Sequence, residues 1–275
     1  MHGHDSLDPE IARHYGKYDE GGRLFRGLGR LELVRVRELL LRWLPSPPAV
    51  ILDVGGGEGV HALWLAREGY EVHLIDAHSP HVEAARRASS AQPDFPIASC
   101  ETGDAQRLEE SDGSVDAVLL FGPLYHLTES IDRLKALMEA RRVLVDGGRL
   151  FAIAVSRFAS TFDGFRHGYF EDPRFEEIAA RDRRDGQHRN TTRDSRFFTT
   201  AYFHRPQDLA SEVEEAEFNL IGLFGVQGVA RVLSDFDHHW EDDHRREHLL
   251  EVVMSLETEP SLLGLSNHIM AVAEK

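Results

Sequence analysis

The segment that most constrains this chain runs from Val50 to Gly59. An apolar run, Val50-Ile51-Leu52-Asp53-Val54, leads directly into Gly55-Gly56-Gly57-Glu58-Gly59. So short and apolar a run reads as a strand buried on both faces, and the glycines after it let the backbone turn tightly and approach a ligand closely. Residues 60–68 then read as a helix, closed by Gly69. The alternation repeats. Residues 71–76 read as a second strand and 80–89 as a helix with Pro80 suited to its first turn. Residues 97–102 form a short third strand, 115–121 a fourth and 149–155 a fifth. Between the last two, 128–145 reads as a helix with Thr128 or Ser130 as cap and Gly147-Gly148 as its stop. Buried strands separated by helices require a parallel sheet covered on both faces, joined by right-handed crossovers. The expected fold is therefore α/β, with a doubly wound, mostly parallel sheet. Ligands of such sheets bind beyond the carboxyl ends of the strands. Asp53, Gly55, Asp76, Phe121 and Ser156 fall at or just after strand ends, which predicts one shared site.

The rest of the chain is read around that core. Residues 1–9 look like a loose tail. Residues 10–44 carry helical periodicity, with Leu31, Val34, Leu39, Leu40 and Trp43 on one apolar face and Arg30, Arg35, Arg37 and Arg42 largely off it. Pro45-Ser46-Pro47-Pro48 ends that helix. Residues 157–206 break the rhythm and read as an inserted lid. A helix at 206–217, a strand at 218–226, an acidic and His-rich helix at 236–255 and a strand at 268–273 complete a seven-stranded sheet. All 275 residues then form a single domain: helical cap 10–44, ligand-binding core 50–155, lid 157–206 and the C-terminal part of the sheet at 207–275.

Charge and cysteine content narrow the function. The 47 acidic residues outnumber the 31 basic ones, for a net charge of −16, so a phosphate backbone is repelled at long range. The single cysteine, Cys100, excludes an internal disulfide framework and an all-cysteine metal site. No apolar core of signal-peptide type and no membrane-length apolar stretch is present, so the expected location is the cytoplasm.

The glycine loop distinguishes among nucleotides. A phosphate-binding loop would end in Gly-Lys-Ser/Thr, and here the loop runs Gly59-Val60-His61. A dinucleotide fingerprint fits only in a strained register starting at Gly57, with Gly59 third and Ala62 sixth; a nicotinamide oxidoreductase therefore stays open as an alternative. Asp53-Val54-Gly55-Gly56-Gly57-Glu58-Gly59 instead resembles motif I of the class I S-adenosylmethionine-dependent methyltransferases, small-molecule type. Asp76 resembles the acidic residue that ends that family's second strand. Gly103-Asp104-Ala105 resembles its step beside the adenine, Val115-Asp116-Ala117-Val118 its fourth strand and Leu144-Val145-Asp146-Gly147-Gly148 the turn before its fifth.

This resemblance implies the Rossmann-like methyltransferase fold and S-adenosyl-L-methionine as cofactor. It implies binding by Asp53, Gly55, Gly56, Gly57, Asp76, Ala77, Asp104, Ala105 and Phe121, with Asp76 on the ribose hydroxyls. Tyr15 or Tyr18, ahead of the sheet, would close the sulfonium side by cation–π contact. The chemistry agrees: a sulfonium nucleotide carries no phosphate, so the loop needs no Lys or Arg, and Glu58 would oppose a pyrophosphate.

Methyl transfer from a sulfonium is an in-line displacement from an already activated donor, so the protein has to align the acceptor, exclude water and, for some acceptors, remove a proton. The place where nucleic-acid amino-methylating enzymes carry Asn/Asp-Pro-Pro-aromatic reads Phe121-Gly122-Pro123-Leu124-Tyr125-His126-Leu127 here, and Cys100 lies in no Pro-Cys context. The acceptor is then expected to be a small molecule, methylated on O, N or C. Gly122-Pro123-Leu124-Tyr125-His126-Leu127 resembles the segment of small-molecule methyltransferases that carries a histidine toward the methyl group, which implies His126 as base or orienting group, with a pKa near neutrality. In the lid, Arg157, Arg166, His167, His188, Arg189, Asn190, Tyr202 and His204 are candidates to face a polar or anionic acceptor. Asp235, Asp237, His238, His239, Asp243, His244 and His248 read as a solvated helix, and no metal is expected. The rival functions are a non-catalytic S-adenosylmethionine-binding regulator, an RNA methyltransferase disfavoured by charge, and the oxidoreductase above. Acceptor identity and oligomeric state are not encoded in any motif of the chain.

Overall fold

The computed structural model describes residues 8–16, 20–192 and 194–275. Tyr18 lies outside the described residues. Three helices come first: α1 (Pro9–Tyr15), α2 (Glu20–Arg23) and α3 (Leu28–Trp43). The core follows as β1 (Val50–Val54), α4 (Val60–Arg67), β2 (Glu71–Asp76), α5 (Ser79–Ser90), β3 (Ser99–Thr102), β4 (Val115–Leu120), α6 (Pro123–His126), α7 (Ser130–Val143) and β5 (Leu144–Val155). Next come α8 (Ala159–His167), α9 (Pro173–Asp185), β6 (Gln187–His188) and β7 (Ala201–Tyr202). The chain closes with α10 (Pro206–Glu215), β8 (Asn219–Gly225), α11 (Phe236–Trp240), α12 (Asp243–Ser255) and β9 (His268–Glu274).

Seven strands form one sheet in the order β3-β2-β1-β4-β5-β9-β8, and β6 and β7 form a separate two-stranded pair. β1 to β5 pair in parallel, while β9 runs antiparallel to both β5 and β8. The sheet is covered on both faces because successive strand residues point to opposite sides. Ile51, Leu74, Ala117, Leu119 and Phe151 pack on one side with Val36, Leu39, Leu65 and Val82 of the helices. Leu52, Val54, Val118, Leu120 and Leu150 pack on the other with Leu137, Ala140, Leu209 and Val213. The strand order reverses between β1 and β4, and a crevice opens there at the carboxyl ends of the strands.

Five local expectations are corrected. Residues 10–44 do not form one amphipathic stretch. The chain is interrupted around Gly16 and again before α3, whose N-cap, Gly27, has φ 48°. Within α3, Val34 is 39% exposed whereas Arg35 is fully buried and ion-paired with Glu38 and Glu257. The helix lies between the sheet and the C-terminal segment, so a second face is buried and an arginine is tolerated there because it is paired. The helix at 236–255 divides into α11 and α12, because Asp242 caps a new start by accepting from the Arg245 N–H. For α7, Glu129 takes the cap position, and the Thr128 carbonyl instead accepts from Arg133 and Gln187. The lid is more regular than its sequence suggests, with two helices and a β pair. Among the described residues no helix is long and apolar enough to cross a membrane.

Candidate active site

The glycine loop is pinned at both ends. The Gly55 and Gly56 N–H groups donate to the Ile75 carbonyl at 2.7 and 3.2 Å, which folds the loop over the end of β2. Asp76 then holds it. One carboxylate oxygen accepts from the Gly57 N–H and the other from the His78 N–H, both at 2.8 Å. A Cβ on Gly55, where φ is 75°, would lie 2.6 Å from Pro123 Cδ, and one on Gly56 would lie 2.8 Å from Asp53 Oδ2. The first of these close approaches sets the loop against α6, which carries His126.

Beyond the loop is a cavity of about 250 Å³. Gly55, Gly56, Gly57, Asp76, Ala77, Asp104, Ala105 and Phe121 line it, together with His126 and, from α1, Tyr15. Asp104 also makes a turn, with Oδ1 accepting from the Gln106 N–H at 2.9 Å. Asp53 does not reach the wall. It lies beneath the loop, 1% exposed, and neither carboxylate oxygen has a protein partner among the described residues. Burial, and then the neighbouring Asp76 carboxylate, push its carboxyl up to about 7. Ser156, also at a strand end, is buried and donates to the Gly264 carbonyl, away from the cavity.

His126 meets Tyr15 across the cavity. The Tyr15 hydroxyl lies 2.6 Å from His126 Nε2, and His126 Nδ1 faces the Thr200 carbonyl at 3.5 Å. With Nδ1–H donating to that carbonyl, Nε2 accepts from the tyrosine hydroxyl. Burial is the largest influence on this ring and brings its pKa down to about 4, so it is neutral at pH 7. Four cavity residues carried no sequence signal of their own. His61 packs edge-on to Phe121 with ring centroids 5.5 Å apart, and burial lowers it to about 4. His81 Nδ1 lies 3.4 Å from Asp76. Arg23 grips Glu32 through two bonds of 2.7 and 2.8 Å. Burial pushes the Glu32 carboxyl up, but Arg23 and then His268 outweigh it and hold the group well below the usual carboxylate range. These residues come from distant segments, and only the position of His61 in the first turn of α4, just after the loop, could have hinted at one of them.

A second chamber of about 470 Å³ lies alongside, under the lid. Tyr15, Arg23, Tyr125 and His268 line both spaces and form the boundary between them. Of the eight lid candidates named from sequence, only His188 lines this chamber. Several others brace the lid from behind. Arg157 donates to the Phe203 carbonyl and pairs with Asp208. His204 contacts Glu212, Tyr202 lies under the Arg133 guanidinium at 3.8 Å, and Asn190 ties down the Asp194 and Phe198 carbonyls. Among the described residues no group of three or more His, Cys, Asp or Glu side chains converges as a metal site.

Comparison with known proteins agrees with this fold. Residues 51–148 match the profile of a methyltransferase domain family. The ubiquinone/menaquinone biosynthesis C-methyltransferase UbiE of Acidiphilium cryptum is 34% identical over 123 residues, which is 44% of this chain and 48% of that protein. The S-adenosyl-L-methionine-dependent Diels-Alderase iccD of Talaromyces variabilis is 34% identical over 150 residues, 53% of this chain and 50% of that one. The chain thus spans about half the length of the curated relatives it matches. A solved structure of an S-adenosylmethionine-dependent methyltransferase from Methanosarcina mazei superposes with a TM-score of 0.59 at 17% identity, covering 86% of this chain and 96% of that one, which establishes the shared fold.

Proposed function

We propose, from the match of residues 51–148 to a methyltransferase domain family, that this chain is a class I S-adenosylmethionine-dependent methyltransferase and transfers a methyl group from S-adenosylmethionine to O, N or C of a small molecule. The observation that carries the proposal is the pair of adjoining chambers, one at the glycine loop and one under the lid, that share Tyr15 and Tyr125. The loop residues fit a sulfonium nucleotide. Glu58, Asp76 and Asp104 make the wall acidic, and the one arginine on it among the described residues, Arg23, is occupied by Glu32. Such a wall favours a cation and disfavours a pyrophosphate. Asp76 would meet the ribose hydroxyls, Asp104 and Ala105 the adenine, and the aromatic face of Tyr15 the positive charge. Bound there, the cofactor supplies an activated methyl group.

The residues of this chain do the rest. The lid and α1 exclude water, with Glu10 of α1 hydrogen-bonded to Thr200 of the lid segment. Tyr15 and His126 handle the proton. For an acceptor that must lose one, Tyr15 takes it as its own hydroxyl proton passes to His126 Nε2. Transfer removes one positive charge from the site and protonation of His126 restores it, so a ring that is neutral beforehand is suited to the task. The net charge of −16 supports a small molecule over a nucleic acid. We read the site of action as cytoplasmic, a compartment in which the one thiol, Cys100, stays reduced.

Calorimetric titration of S-adenosylhomocysteine into wild type and Asp76→Ala, with NAD(H) in parallel, tests the cofactor. Loss of hydrogen bonds to a charged group should weaken binding about 10- to 150-fold. Binding of NAD(H) without binding of S-adenosylhomocysteine would overturn the proposal in favour of an oxidoreductase.

A further inference from the structure

The lid chamber has a chemical character of its own. Tyr125, Tyr169, Phe175, Phe197, Phe198 and Phe203 line it. Walls this aromatic favour planar ring systems, through offset and edge-on contacts that add to plain burial. Phe198 underlines the point. Its backbone lies at φ 59°, ψ −168°, a region that is essentially glycine's. Such strain persists only where the surroundings over-determine it. Here the Phe198 carbonyl is held by the Asn190 amide at 2.7 Å, and the ring lies 5.2 Å from His14 and 6.1 Å, stacked, from His126. The lid thus holds an aromatic wall against the candidate base.

Charge in the chamber is balanced. Arg23 pairs with Glu32, Arg196 with Asp194 and Asp163 with Arg231. Among the described residues the lining therefore offers no unbalanced carboxylate, arginine or lysine to an ionic ligand. A buried polar group also faces this chamber. Asn267 stands on the chamber wall, its backbone carbonyl fixed by the Ser156 N–H at 2.8 Å, and its side-chain oxygen is buried with no partner among the described residues. A buried carbonyl of this kind is satisfied by a ligand donor such as a hydroxyl.

We propose that the lid chamber binds an uncharged, planar aromatic compound of two or three rings bearing a hydroxyl group, and that Asn267 orients it. The volume of about 470 Å³ suits a ligand of that size. The proposal names the acceptor class of the methyl-transfer reading and rests on it.

The test is calorimetry on the full chain saturated with S-adenosylhomocysteine, using 2-naphthol, 2-naphthoate, decahydro-2-naphthol and choline as probes. 2-Naphthol should bind at least about tenfold more tightly than the other three, because only it is planar, aromatic, hydroxylated and neutral. Asn267→Ala should weaken 2-naphthol about 3- to 10-fold while leaving S-adenosylhomocysteine unchanged. A preference for 2-naphthoate or choline overturns the proposal, as does equal 2-naphthol binding by wild type and Asn267→Ala. If S-adenosylhomocysteine binds and no 2-naphthol does, the acceptor class falls and the methyl-transfer reading stands. If S-adenosylhomocysteine itself fails to bind, both fall.

Discussion

A single carboxylate, Asp76, ties the Gly57 and His78 amides together while facing the cavity, so it shapes the loop and offers an acceptor to a ligand at once. Tyr15 and His126 divide their labour differently: both line the glycine-loop cavity, but of the two only Tyr15 also borders the lid chamber, and its hydroxyl meets His126 Nε2. Tyr15→Phe should therefore lower kcat by about 10²- to 10⁴-fold for an acceptor that loses a proton, with S-adenosylhomocysteine affinity nearly unchanged in calorimetry. Three groups whose pKa burial shifts make stability pH-dependent, the two histidines with one sign and Asp53 with the other. His126 has a folded pKa of about 4, below its ordinary value, so the unfolded chain binds the proton more readily. Stability is lost as pH falls from the ordinary histidine value toward about 4, and His61 acts in the same direction. Thermal melts of His126→Gln should lose less stability than wild type between pH 7 and pH 5. Asp53 has a folded pKa of about 7, above its ordinary value, so wild-type stability falls as pH rises through that window. Asp53→Asn should raise the melting temperature at pH 8 and leave it unchanged at pH 4.

At the level of elements, the glycine loop and α6 work as one unit. Gly55 sits where a Cβ would collide with Pro123, three residues before His126. Gly55→Ala must push α6 outward or distort a loop already at φ 75°. An ångström of misplacement near reacting atoms can cost about 10²-fold in rate. Gly55→Ala should thus reduce kcat on that scale and also weaken S-adenosylhomocysteine, which steady-state kinetics and calorimetry would separate. The lid has its own close approach, at Gly164 of α8, where a Cβ would come within 2.4 Å of the Phe170 ring. There the glycine serves packing between lid segments.

On the scale of the whole molecule, α3 joins the cap to the C-terminal half. Arg35 and Arg42 both reach Glu257, some 220 residues further along the chain. Removing Arg35 leaves Glu257 buried with one partner fewer, and breaking a buried pair costs about 3–5 kcal/mol. Arg35→Ala should show that loss in urea unfolding. Arg30→Ala, which removes pairs to the exposed Asp237 and Glu241, should cost no more than about 1 kcal/mol.

The strand-and-glycine pattern by itself determined the core fold, because a buried parallel sheet writes its strands as continuous apolar runs and its turns as glycines: β1, β2 and β4 stand within a residue of where the sequence puts them. For the same reason Gly55, Asp76 and Phe121 were legible as neighbours, each at or just after a strand end, whereas Asp104 was marked only by the family resemblance. The sequence also singled out Tyr15 and His126, but not that they touch. That contact, the burial of Arg35, the position of Asp53 behind the loop and the aromatic lid chamber were decided by tertiary structure alone. Each depends on packing between segments far apart in the chain. Local periodicity records which face of an element is apolar, and carries no record of what that face, or a charged residue on it, will meet.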